Sequence, residues 1–186
     1  MDAKEWIGLL AVAVTGSTFA AGLWQFVKAQ RWKRAEFVAG QIREFESAIG
    51  VRNAMVMLDW HTGEIEPLQK DGVRLRYTNA ALEAALIPET EKPGYNEVEA
   101  AIVDSFGQFF DGLERFNHFV ETGLLKAYDL RPYLIYRVEA IADERKSRKP
   151  ARLRQKIWRY IDSYGYSGVQ ELFRKLRYDI VVSKGQ

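Results

Sequence analysis

Apolar positions follow two different rhythms along this chain. From Trp6 to Val27 runs a stretch of 22 residues without a charge, WIGLLAVAVTGSTFAAGLWQFV. Beyond it, apolar residues recur every three or four positions among charged ones, the period of helices with one buried face. At about 1.5 Å rise per residue the first stretch makes a helix of roughly 33 Å, enough for a hydrocarbon core of about 30 Å. Trp6 and Trp24 stand near its two ends, where an indole prefers the headgroup level. Thr15, Ser17, Thr18 and Gln25 can satisfy their polar groups on helix carbonyls or on a neighbouring helix. A signal peptide starts basic and carries a shorter apolar run, whereas Met1-Asp2-Ala3-Lys4-Glu5 is net negative. A buried core helix of this length is out of proportion to so small a protein. The stretch therefore predicts a transmembrane helix.

The second rhythm begins at once. Val38, Ile42, Phe45 and Ile49 form one apolar stripe, widened by Phe37, and predict a helix from Lys28 to about Ile49, stopped at Gly50. Asn53 to Trp60 predicts a second, short helix. Residues 61–77 carry the turn signals Thr62-Gly63 and Asp71-Gly72, with Val73, Leu75 and Tyr77 alternating against Arg74 and Arg76; a small hairpin and a structured loop both fit. Asn79 is placed to cap a helix through Leu86, and Pro88, Pro93 and Gly94 mark an acidic loop. The longest soluble helix runs from about Asn96 to Thr122, with Val98, Ile102, Phe106, Phe109, Leu113, Phe116 and Val120 on one stripe and Phe110 and Phe119 beside it, which places it centrally in a bundle. Asp129, Pro150 and Ser167 announce three further helices. The predicted fold is all-α: an N-terminal single transmembrane helix continuing into a cytosolic helical bundle, with a possible small β-hairpin. Residues 1–27 form the N-terminus and span, and residues 28–186 the cytosolic domain.

Composition narrows the chemistry. The 186 residues suffice for one domain and an appendage, and there is no cysteine, which removes disulfides, iron–sulfur clusters and thiol nucleophiles. The net charge of +2 hides a segregation: residues 1–34 carry +3, residues 35–125 carry −9 and residues 126–186 carry +8. Acidic middle and basic tail should attract each other, within one chain or between copies. Lys28, Arg31, Lys33 and Arg34 follow the span with no acid among them, so the positive-inside bias puts the N-terminus outside and the C-terminal domain in the cytoplasm.

Three sets of residues carry candidate functions. On the span, Gly8, Ala11, Thr15, Thr18, Gly22 and Gln25 lie on one small and polar stripe, continued by Ala29. Such a face allows close helix packing between copies, lines a narrow pore, or has no role beyond the ordinary composition of spans. The densest basic segment holds Arg145, Lys146, Arg148, Lys149, Arg152, Arg154, Lys156 and Arg159 without an acid. It can touch anionic lipid, contact nucleic-acid phosphates with Trp158 or Tyr160 free to stack, or remain a solvated surface. Third, Arg115, Asn117 and His118 fall on the aromatic helix, where Arg beside His can hold a phosphodiester and move a proton, giving a speculative RNA site. Glu114 with His118 is at most half a metal site, and no metal, cofactor or catalytic residue is otherwise indicated: the zinc-protease, phosphate-loop and dinucleotide motifs are absent.

The uncharged span followed by the basic-aromatic junction Arg31-Trp32-Lys33-Arg34-Ala35-Glu36-Phe37-Val38 resembles small bacterial single-span membrane proteins with a helical cytosolic domain. The layout also resembles, more distantly, membrane accessory proteins of RNA-targeting CRISPR systems, which carry a helical nuclease-like domain. Arg52-Asn53 matches the front of that nuclease-like motif, but His61 comes later than the motif sets it, and Arg115 and His118 stand closer together. The residues point to a non-enzymatic inner-membrane protein that oligomerises through its span and helical domain, and the resemblance implies a bacterial source and a membrane-perturbing or defence-related role; the alternative is a membrane-tethered RNA-binding or RNA-cleaving effector. The implied partners are the lipid bilayer, further copies of the chain, and a nucleic acid or protein.

Overall fold

The computed structural model describes residues 3–68 and 72–178, with side chains from Thr15 onward. The chain is mostly helical and divides into two compact units, Met1–Ala39 and Gly40–Gln186. Among the described residues no helix is long and apolar enough to cross a membrane. The described side chains start at Thr15, so 6–14, the first part of the uncharged stretch, lies outside them, as does Asp71 of the second turn signal.

In the first unit the described residues belong to one helix, α1 (Ala3–Ser47), whose last turns enter the second unit. The second unit adds α2 (Ile49–Asp59), a hairpin of β1 (Thr62–Ile65) and β2 (Leu75–Thr78), α3 (Asn79–Ala85), a 3-10 turn at Glu89–Glu91, and then α4 (Glu97–Glu121), α5 (Ala127–Ala142), α6 (Ala151–Ser163) and α7 (Ser167–Lys175). The strands are antiparallel, with Thr62 opposite Thr78 and Ile65 opposite Leu75.

The bundle is built around α4. Its apolar stripe puts Ile102, Phe106, Phe109, Phe110, Leu113 and Phe116 at 0–1% exposure, against α2, α3 and α7. Phe45 meets Phe109 and Phe116 at ring-centroid distances of 5.6 and 5.3 Å, and Phe109 meets Phe110 edge-on at 5.5 Å. The close approach of α1 to α4 depends on Gly112, where an added Cβ would stand 2.4 Å from the Phe45 ring. α4 starts at a reciprocal cap: Asn96 accepts from the Glu99 amide and Glu99 accepts from the Asn96 amide, each at 3.0 Å. This satisfies two of the amides that a helix start leaves without partners.

Four expected boundaries shift for identifiable reasons, the first at Asp129, which lies inside α5 and accepts from the Lys126 amide at 2.9 Å. Gly50 does not stop a helix. It lies buried inside α2, its amide donating to Gln108 Oε1 at 3.2 Å, and the break falls at Ala48, whose backbone is extended. α3 is capped by Thr78 instead of Asn79, through the Ala81 amide at 3.2 Å. The start of α7 is capped from another helix: Glu114 Oε1 accepts from the Val169 amide at 2.9 Å, and Ser167 provides no side-chain cap.

Candidate functional site

In the first unit, Phe19, Leu23, Trp24 and Phe26 are 74%, 55%, 64% and 60% exposed. They stand on a stretch with no charge to offer water. Beside them Thr15, Thr18, Gly22 and Gln25 are exposed as well, and a Cβ built on Gly22 would have no heavy atom within 4 Å. Gly8 and Ala11 are helical, but their surroundings lie outside the described side chains. Lys28 Nζ sits 5.1 Å from the Trp24 ring centroid, a cation–π contact where the apolar stretch gives way to the basic junction. Arg31, Trp32, Lys33 and Arg34 follow, all exposed.

The basic segment is spent largely on the domain's own acids. Lys146 pairs with Glu139 at 2.6 Å, Arg152 with Glu83 at 3.1 Å, Arg154 with Glu144 at 3.0 Å and Arg159 with Glu91 at 2.6 Å. Lys156 donates to the Glu83 carbonyl at 2.7 Å. Arg145 and Arg148 are exposed and make no ion pair among the described residues. The two rings expected to stack on bases are not accessible: Trp158 is 6% exposed with its indole N–H on the Ile141 carbonyl at 2.7 Å, and Tyr160 is 2% exposed. The attraction between acidic middle and basic tail operates inside one chain, through Arg152–Glu83, Arg159–Glu91, Arg137–Asp59 at 2.7 Å and Lys175–Glu121 at 3.5 Å. The Glu89–Glu91 loop is fastened by the same logic, since Lys92 reaches Glu99 at 2.5 Å and Tyr95 donates to the Ile87 carbonyl at 2.8 Å. The Lys92 ammonium holds the Glu99 carboxyl below its ordinary range, helped by the Asn96 amide.

Arg115, Asn117 and His118 do not converge. Arg115 reaches Glu44 at 2.9 Å. Asn117 is buried on another side of α4, donating to Glu121 at 2.9 Å and accepting from Lys175 at 3.0 Å. His118 is exposed, and among the described residues no hydrogen bond joins it to the other two. Glu114, the other half of the sequence-suggested metal pair, caps α7. Among the described residues no group of three or more His, Asp or Glu side chains is gathered as for a metal ion.

One member of the basic segment behaves differently from the rest. Lys149 is 4% exposed, and its ammonium donates to the Trp60 carbonyl at 2.5 Å and to Asn79 Oδ1 at 3.2 Å. Burial lowers its pKa to about 8, against a smaller opposing pull from Asp59. Because an ammonium can only donate, Asn79 Oδ1 is fixed as acceptor and its Nδ2 must face His61 Nδ1, 2.9 Å away. That leaves the ring proton of a neutral His61 on Nε2. Tyr77 closes the same corner, donating to the Val56 carbonyl at 3.2 Å, and burial pushes its hydroxyl up to about 12. Asp59 is held by Tyr136 and Arg137, each at 2.7 Å. These polar groups are mutually satisfied and join the loop before α6 to the end of α2, which reads as a structural lock. In sequence Lys149 is indistinguishable from its basic neighbours; only the fold singles it out.

Comparison of the chain with protein-family profiles, with curated proteins and with solved structures finds no match.

Proposed function

We propose that this protein is a membrane-anchored helical protein without catalytic chemistry of its own. Residues 6–27 cross a bacterial inner membrane with the N-terminus outside. The helical domain stands in the cytoplasm, and copies associate through the face carrying Gly8, Ala11, Thr15, Thr18, Gly22 and Gln25. The observation that carries the reading is the exposure of Phe19, Leu23, Trp24 and Phe26 on an uncharged stretch. Fully covering such a side chain is worth about 1.5–3 kcal/mol, and lipid can cover all sides of a helix at once. The basic junction at Lys28, Arg31, Lys33 and Arg34 supports the orientation. The open space around Gly22 supports close packing by a second helix. An RNA-cleaving centre is disfavoured by the dispersal of Arg115, Asn117 and His118, and an RNA-binding surface by the pairing of most of the basic segment.

The absence of native cysteine gives a clean test. Ala3→Cys should react with a membrane-impermeant maleimide in intact cells, and Asp162→Cys only after lysis; the reverse pattern would refute the orientation. The protein should stay with membranes through alkaline extraction, and Gly16→Lys with Phe19→Lys should release it, since each midspan lysine costs about 2.5–3.5 kcal/mol. Recovery of the parent protein in the soluble fraction would overturn the anchor. Light scattering in detergent should show an oligomer that Gly22→Leu dissociates, and a monomeric parent would remove the assembly half of the proposal.

A further inference from the structure

We propose that the pocket between the start of α5 and the end of α7 binds a phosphate ester carrying a planar ring, a mononucleotide in size and chemistry. Tyr128, Arg131, Lys175, Leu176 and Arg177 line a pocket of about 440 Å³. Three of those five residues are cationic. None of the three was marked by its sequence neighbourhood, because α5 and α7 meet only in the folded domain.

The cations are unequally occupied. Lys175 is satisfied by Asn117 at 3.0 Å, with Glu121 at 3.5 Å and Glu171 at 3.8 Å. Arg131 spends one nitrogen, Nη1, on the Leu176 carbonyl at 3.0 Å, which fixes the guanidinium without neutralising it. The Arg177 side chain is exposed and makes no hydrogen bond or ion pair among the described residues. Among the described residues neither guanidinium meets a carboxylate, both border one concavity, and guanidinium is the group whose fork of donors matches phosphate oxygens.

Backbone conformation points the same way. Arg177 has φ 72°, the one non-glycine residue with positive φ among the described residues. It stands just past the end of α7, with the Tyr178 amide on the Phe173 carbonyl at 2.9 Å, a helix-ending turn whose left-handed position normally takes glycine. A cation near a helix C-terminus is favoured by the helix dipole, but Arg174 and Lys175 already meet that need from ordinary helical positions. Arginine at Arg177 therefore carries a strain that glycine would escape, and such strain is retained where the side chain is used.

The ring follows from Tyr128, 79% exposed at the rim. An inorganic phosphate would leave most of 440 Å³ empty, whereas a base stacked on the phenol with its phosphate on the two arginines fills such a volume.

The full-length protein in detergent should be titrated calorimetrically at low ionic strength with adenosine monophosphate, inorganic phosphate and adenosine. The monophosphate should bind most tightly, phosphate less so and adenosine weakest. Arg177→Gly separates binding from folding: it should raise Tm by about 2–4 °C while weakening the monophosphate about tenfold or more. Tyr128→Ala should reduce monophosphate affinity to that of phosphate and leave phosphate itself unchanged. No monophosphate binding by the parent, or equal binding by parent and Arg177→Gly, would overturn the site. A lower Tm for Arg177→Gly would overturn the argument from strain.

Discussion

The first part of α1 and the whole of α4 are both aromatic-rich helices, and the domain treats them in opposite ways. Phe19, Trp24 and Phe26 are 60–74% exposed, whereas Phe106, Phe109, Phe110 and Phe116 are at 0–1%. Side-chain type does not separate the two sets. What differs is the remainder of the helical period. Along the same helix α4 places Glu97, Asp104, Asp111 and Glu121, all exposed, so one face can be given to water while the other is buried. From Trp6 to Val27 the polar side chains are Thr15, Ser17, Thr18 and Gln25, and none carries a charge. A helix of the first kind can be satisfied by one protein surface, whereas the aromatic side chains described on the second stay exposed.

The sharpest way to break the comparison is to truncate one aromatic residue in each helix. Phe110→Ala removes a ring at 0% exposure that packs on Phe106, Phe109, Tyr160 and Tyr166. It should destabilise the domain by about 3–5 kcal/mol. Phe19→Ala should leave domain stability within about 0.5 kcal/mol of the parent. Urea denaturation in detergent, followed by tryptophan fluorescence, measures both. Equal losses would mean that Phe19 is packed in the folded domain, and the contrast would disappear.

A smaller effect separates buried from exposed positive charge. Lys149 keeps its ammonium inside the domain, with a pKa lowered to about 8 from 10.5. Below that value both folded and unfolded chains hold the proton, and the folded state bears the full cost of burial. Between about pH 8 and 10.5 the unfolded chain holds the proton more tightly, so raising the pH favours folding, by up to about 3 kcal/mol in all. Tyr77 and Tyr166, pushed up to about 12 by burial, act the other way above pH 10. There the unfolded chain loses protons that the fold retains, and stability falls. The parent should therefore gain stability from pH 8 to 10 and then lose it. Lys149→Met should show a clearly smaller gain over the first interval, the remainder coming from Lys156, whose pKa burial also lowers. Parallel pH profiles for the two proteins would show that Lys149 titrates as though in water.

How far this organisation could be read from sequence depended on whether the deciding neighbour lay close along the chain. The extent of α4 was legible because its apolar stripe is a local signal; the structure closes it with the Asn96–Glu99 cap at one end and at the other with the turn at Gly123, where φ is 74°. Gly50 misled because its small size serves a contact with Gln108, far along the chain, and not a stop. The basic segment looked like one patch because its charges are adjacent, while Glu83 and Glu91 reach it only in the folded bundle. The dispersal of Arg115 and Asn117 was readable in principle, since residues two apart on a helix point to different sides. The uncharged stretch from Trp6 to Val27 stands out in sequence for the opposite reason, since it depends only on the absence of charge over consecutive residues and needs no distant partner.

The smallest predicted effect tests whether α4 depends on its own start. The Asn96 side chain accepts from the Glu99 amide, and Glu99 answers on the Asn96 amide while holding Lys92. Asn96→Ala removes the first bond and leaves the Glu99 amide without its side-chain acceptor at the helix start, which should cost about 1 kcal/mol. Asn96→Asp keeps the acceptor and adds a negative charge at the positive end of the helix, so it should recover that loss. A chemical-denaturation midpoint measured for the three proteins decides it. If Asn96→Ala matches the parent, α4 is held by its buried phenylalanines alone and the cap is dispensable. If the alanine variant falls and the aspartate variant recovers, the central helix draws on a local bond that its sequence announces as well as on its core face.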